Sequence, residues 1–335
     1  MLFSVGPGSR RSIEGGIGFF RTLAKRGDYD QICVMAWRGS AAIFGVLVLL
    51  GVHPRAVAAD DNQAQTCTLE PGPIRTVTRI VDGETIILDD GKVVRLIGAL
   101  APRARDANAA HGAWPPEVDT IRALSDLVLA KKIKLAFAGR RIDRYGRTLA
   151  HVFVDDHGQQ SWVQGALLAK GFARAYGFPE SFTCSAELLA HEAEAREKRL
   201  GLWNNGVYRT LPADRAGEVM KQRGKYVRVT GTVASIGRTK SAAYINFSND
   251  WQTDFTARVD KKVLAANPEF DRALDGLTGK TVVVRGWIER RNGPMIDIAD
   301  PSQLEMPLPP GTPATVSDQS PLNPLLSVRA PGDPI

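Results

Sequence analysis

The chain has 335 residues, 44% hydrophobic and 24% charged, with a formal net charge of +7. This composition excludes a wholly disordered chain and a helical membrane bundle, and the length suits two modest cores better than one. The charge is too small to grip nucleic acid through a general field, so such a partner would require a clustered basic patch.

The first predicted element is the apolar run "AAIFGVLVLLGV", residues 41–52, short for a membrane span but suited to a signal-peptide core. Ala56-Val57-Ala58 supplies a small-residue cleavage site. The lead from Met1 is long, whereas Met35 opens a short basic lead, "MAWRGS", and is the expected start. "SRRSIEGG", Ser9 to Gly16, is a faint twin-arginine pattern with no apolar run after it. Residues 1–58 therefore read as an N-terminal extension and signal peptide, and the protein as exported, periplasmic or secreted. The competing reading is an uncleaved anchor; either way this segment is the only membrane contact expected. Its seven Lys/Arg against three Asp/Glu mean that removal leaves about +3.

Cys33 precedes Met35, which leaves Cys67 and Cys184 as a pair in an oxidising compartment and predicts a disulfide between them. Two free thiols are the alternative. Neither cysteine has a Cys or His at metal-ligand spacing.

A polar leader over residues 59–73 gives way to strand-like runs, "IRTVTRIV", "ETIIL" and "VVRLIGA", with an Asp90-Gly91 hairpin signal between the last two. A Pro-interrupted loop leads into the helical spacing of "VDTIRALSDLVLA". Two strands follow, "KIKLAF" and "TLAHVFVD", joined by "AGRRIDRYGR", and then two helices, "WVQGALLAKGF" and "SAELLAHEAEAREKRLGLW". Three strands, a helix and two strands is the order of a five-stranded OB barrel. Beyond a linker at 204–222, residues 223–306 repeat the scheme with a helix over "KVLAANPEFDRALDGL". The Pro- and Ser-rich tail, 307–335, is predicted disordered. The fold class is thus mainly β with α: an OB-fold barrel plus helices, followed by a second, smaller OB-like β-barrel.

"VDGETIIL", "VRLIGALAP", "DRYGRTLAHVFV", "GALLAKGFARAY" and "EAEAREKRLGLW" stand in one order over residues 74–203. In that order they resemble the staphylococcal-nuclease-like, or thermonuclease-like, family. The resemblance implies an OB-barrel phosphodiesterase that cuts DNA or RNA with calcium. It places two catalytic, phosphate-binding arginines on Arg95 and Arg147, and the first calcium ligand on Glu84. The second ligand position falls on Leu100, which offers a hard cation no oxygen, and the general-base position falls on Arg103. The expected site has lost two of its three acids and gained a cation. Asp82, beside Glu84, is a second candidate metal ligand, and Asp106 a candidate rescue acid. An arginine pair without a metal still suits phosphate, because each planar fork can pair two oxygens. His111, His151 and His157 are scattered and carry no ligand pattern.

Strand alternation in the second barrel turns Tyr226, Arg228, Tyr244, Arg258, Arg285 and Trp287 outward, away from Val227, Val229, Ile245, Phe247, Ala257 and Val284. Interleaved aromatics and arginines suit single-stranded nucleic acid; packing on the first barrel is the alternative. Three functions remain open. The first is an exported nucleic-acid or phosphate-binding protein whose inherited hydrolysis is altered or lost. The second is an active metal-dependent nuclease, with calcium or another divalent cation as cofactor. The third is a non-enzymatic envelope protein that binds a protein partner the sequence does not identify.

Overall fold

The computed structural model describes residues 67–306 except 157, 178–181 and 251–252. The signal segment, Met35, Cys33, His157 and the tail from 307 lie outside those residues. The first half runs β1 (Glu70–Asp82), β2 (Thr85–Leu88), β3 (Val93–Leu96), β4 (Gly98–Leu100), α1 (Pro115–Val128), β5 (Lys132–Phe137), β6 (Thr148–Asp156), β7 (Gln159–Trp162), α2 (Val163–Ala169), β8 (Arg174–Tyr176) and α3 (Ser185–Glu197). Its sheet order is β3-β2-β1-β5-β6-β7, and β3 also pairs in parallel with β6. That pairing closes five strands into an OB barrel, as the element order required.

Alternation within each strand sets the inside. On β3, Val94 and Leu96 are buried while Arg95 between them is left on the other face. Val77, Ile86, Ile133, Leu135 and Val152 complete the barrel interior with Leu124 of α1 and Leu167 of α2. Pro115 and Pro116 start α1, where their missing N–H groups cost nothing and their φ is already helical. Gln164 is fully buried yet satisfied: its amide donates to the carbonyls of Ile97 and Ala150 and its oxygen accepts from Val152 N–H.

A disulfide joins Cys67 to Cys184, 117 residues apart. It pins the chain just before β1 to the start of α3, where Glu187 accepts from the Cys67 N–H at 2.7 Å. The expected leader is correspondingly shorter, since β1 already pairs with β5 at Glu70↔Phe137.

The second half runs β9 (Leu211–Pro212), α4 (Ala216–Met220), β10 (Tyr226–Thr232), β11 (Ser235–Arg238), β12 (Ala242–Asn246), β13 (Thr256–Asp260), α5 (Lys261–Ala266), α6 (Pro268–Leu274), β14 (Thr281–Arg291), β15 (Gly293–Ile298) and β16 (Leu304–Glu305). Its sheet order is β11-β12-β13-β15-β14-β10-β9, with β13 and β15 parallel. Phe255, Ile245, Val229, Val284 and Ile296 form its core.

Two features differ from the sequence reading. The expected linker at 204–222 carries structure: β9 pairs in parallel with β10, and Val219 of α4 is buried in the second core. The expected helix at 262–277 is two helices, because Pro268 removes an N–H and holds Asn267 out of the helical region, at φ −134° and ψ 71°.

Candidate phosphate-binding site

Arg95 and Arg147 are placed by the parallel pairing of β3 with β6. Arg95 lies opposite Leu149, and Arg147 immediately precedes the paired Thr148, so the two cations come to one end of the barrel. Burial lowers the pKa of Arg95, and Arg147 nearby lowers it further.

Arg147 is set by its own turn. Asp143 accepts the backbone N–H groups of Tyr145 and Arg147, each at 2.9 Å, and takes Arg147 Nε at 2.7 Å. Gly146 supplies the φ of +80° that the turn needs. Tyr145 is 67% exposed. Its ring carries the guanidinium carbons of Arg144 and Arg147 at 4.8 and 5.4 Å. Sequence reasoning missed Asp143; the signal was an Asp opening a turn that ends in Gly and Arg.

Glu84 sits in the tight turn between β1 and β2. A Cβ on neighbouring Gly83 would fall 2.7 Å from both Ala101 Cβ and Thr120 Cγ2, so only glycine lets this turn close against β4 and α1. Asp82 Oδ1 accepts the Glu84 N–H at 2.9 Å. The Glu84 side chain is 1% exposed, with Arg95 Nη2 3.2 Å from Oε2 and Arg103 ion-paired to Oε1. Burial lowers the pKa of Arg103, against the pull of Asp82.

A calcium ion asks for about six to eight oxygen ligands. Both oxygens of Glu84 are held by arginines, and Leu100 is buried in β4. Among the described residues no three His, Cys, Asp or Glu side chains group as metal ligands. The residues present do not fit a calcium ion.

Asp106 is placed elsewhere. Its Oδ2 accepts from Arg103 N–H, from Arg174 Nη2 and from the Tyr208 hydroxyl at 3.2, 3.0 and 3.1 Å, and Lys225 Nζ donates to its carbonyl at 2.7 Å. It ties the first barrel to the second half of the chain. A different acid lies near Glu84: a groove of about 350 Å³ is lined by Asp82, Glu84, Arg103, His111 and Glu117. Glu117, in the first turn of α1, accepts from Gly112 N–H at 3.1 Å. In sequence it reads only as a favourable charge at a helix start.

The six residues expected on an outer face of the second barrel divide into two groups. Tyr226 pairs with Trp287, and Arg228 with Arg285, across β10 and β14. Tyr226, Trp287 and Arg285 meet partners on β8 and α3 of the first barrel, while Arg228 donates to Thr210 and Glu305. Tyr226 and Trp287 meet Tyr176 edge-on, and the Tyr226 hydroxyl, its pKa pushed up to about 12 by burial, donates to the Ala175 carbonyl. Arg285 is 2% exposed and reaches both oxygens of the fully buried Glu192, at 2.8 and 3.0 Å. Glu305 accepts from Arg228 and Arg196 and is ion-paired to Arg285. Tyr244 and Arg258 are cross-strand neighbours elsewhere, and Arg258 is ion-paired to Asp260 and Asp297. No shared aromatic and arginine face results.

Comparison with known proteins bears on the first barrel. The family profile described as "Staphylococcal nuclease homologue" matches residues 93–205, starting at β3. "Endonuclease YncB" of Bacillus subtilis (strain 168) is 33% identical over 140 residues, 40% of this chain and 64% of that protein. "SPbeta prophage-derived endonuclease YokF" of the same strain is 34% identical over 140 residues, 40% of this chain and 45% of its own length. This chain thus spans less than two thirds of either. "Thermonuclease" of Staphylococcus hyicus is 30% identical over 134 residues, 38% of this chain and 75% of that protein. Through its first barrel, the chain belongs to the staphylococcal nuclease family.

Proposed function

We propose that this is an exported protein that binds single-stranded nucleic acid or another phosphate ligand through Arg95 and Arg147, with the family's calcium-dependent hydrolysis lost. The observation that carries the reading is the Glu84 carboxylate, buried and held by Arg95 and Arg103. An acid so engaged neutralises guanidinium groups instead of holding a cation, while Arg147 and the exposed Tyr145 stay beside the barrel rim. The second half is an OB-like barrel in this reading, since β10 and β11 are consecutive segments and the strand order and parallel pairing repeat those of the first. It acts as a support for the first barrel, not as a second nucleic-acid surface.

The test uses the full chain and labelled single-stranded DNA, with calcium and then with EDTA, beside Arg95→Ala/Arg147→Ala. Retention without cleavage, weakened in the double variant, is the expected result. Cleavage that requires both the metal and the arginines would overturn the loss of hydrolysis. That second reading has its own support: the relatives are named as endonucleases and thermonuclease, and Asp82 and Glu117 share the groove beside Glu84.

A further inference from the structure

Between the two barrels lies a cavity of about 20 Å³ whose lining shares no residue with the groove beside Glu84. That volume holds one water-sized occupant. Arg174, Arg209, Arg228 and Arg285 line it with a single carboxylate, Glu192. Trp203 lines it as well.

Three N–H donors on these lining residues are buried without a partner: Arg174 Nε, Arg228 Nε and Trp203 Nε1. Arg174 as a whole is only 7% exposed. Buried donors are seldom left unpaired in native proteins, and three on residues that line one void ask for an acceptor. The one lining carboxylate is already engaged. Glu192 Oε2 takes Ala175 N–H and Arg285 Nη1, and its Oε1 takes Arg285 Nη2. The carboxylates that pair with Arg174, Arg209 and Arg228, namely Asp106, Glu218 and Glu305, stand outside the lining. A water molecule brings two hydrogens that would need acceptors of their own, whereas a small anion brings none. The same low-dielectric setting that makes the orphan donors costly strengthens their attraction for a negative charge.

We propose that this cavity binds one small monovalent anion of chloride size, held by Arg174 Nε, Arg228 Nε and Trp203 Nε1, and that the anion locks the two barrels together. The site is independent of phosphate binding at Arg95 and Arg147, so either proposal can fail alone.

The experiment measures thermal unfolding of the full chain in sodium salts at fixed ionic strength, exchanging chloride for gluconate, which is too large to enter. Crystals soaked in bromide locate the ion by anomalous scattering. The expected result is a saturable rise of the unfolding midpoint in chloride and bromide but not in gluconate, with a bromide peak at hydrogen-bond distance from the three donors. Trp203→Phe removes one charge-assisted bond and raises the half-saturating chloride concentration about tenfold. Equal midpoints in chloride and gluconate overturn the proposal, as does a cavity holding water and no bromide. A bromide peak without a midpoint effect means an adventitious ion only and overturns it too. The scattering arm needs no variant, so a Trp203→Phe protein that fails to fold leaves the test intact.

Discussion

The guanidinium of Arg103 is ion-paired to Oε1 of Glu84, which sets a cation against the acid on which a hard metal would depend. Removing that acid should therefore destabilise the fold instead of merely emptying a site. Glu84→Gln leaves Arg95 and Arg103 facing a neutral amide and should cost about 2–3 kcal/mol, below the full buried-pair figure because Arg103 is partly solvated. Urea unfolding measures it, and an unchanged midpoint would show that the carboxylate does not anchor the arginines.

If Arg95 and Arg147 contact phosphates, each substitution to Ala should weaken single-stranded DNA binding about tenfold. Each should also make the slope of log affinity against log salt shallower by about 0.7. Titrations across a salt series read both quantities. A weakened affinity with an unchanged slope would point to a packing role.

Arg285→Met should be more severe than any change on the rim of the first barrel. It leaves Glu192, fully buried, with Arg196 at 3.2 Å as its remaining ionic partner. Stranding a buried charge costs about 3–5 kcal/mol. The double variant Glu192→Gln/Arg285→Met should recover part of that loss in the same urea assay.

Acid should unfold the protein in two stages. Burial drops the His151 pKa to about 3, so the unfolded chain takes up a proton that the native state refuses, and stability falls as pH drops from about 6.5 towards 3. Burial would raise the Glu305 pKa, but Arg285, Arg228 and Arg196 outweigh it and hold the carboxyl at about 2. Its contribution, on the order of 3 kcal/mol, is fully present above about pH 4.5 and is lost as pH falls through about 2. Urea midpoints between pH 7 and 2 should show both limbs, with His151→Gln flattening the upper and Glu305→Gln the lower.

Reducing the Cys67–Cys184 bridge should lower stability by about 3–5 kcal/mol, since the bond closes a long loop in the unfolded chain. Cys67→Ser/Cys184→Ser should reproduce the effect and make the protein insensitive to reductant. Unequal results would mean that the serines disturb packing at the start of α3.

What could be read from sequence was what the chain encodes locally. The strand alternation around Val94-Arg95-Leu96 follows from adjacent residues, so the barrel was legible, whereas Arg95 and Arg147 were picked out only by the family resemblance and the Asp143 that holds Arg147 was missed. The fate of Glu84 was not legible, because the ion pair with Arg103 depends on how a Pro-interrupted loop returns to the turn before β2. The second half left two readings open for a related reason. Alternation tells which residues leave the barrel interior but not what covers them, and the partner of Arg285 lies on α3, 93 residues away. Glu192 itself stands in a helix whose run of charges reads as a solvated face.

The pairing of Glu192 with Arg285 also bears on inheritance. Each half of the chain holds one member of the pair together with one local counter-ion, Arg196 beside Glu192 and Glu305 beside Arg285, so a genetic rearrangement that moved either half alone would leave each ion with one of its two partners. The halves are therefore costly to shuffle as separate cassettes: a descendant that sheds the second one leaves Glu192 with Arg196 alone.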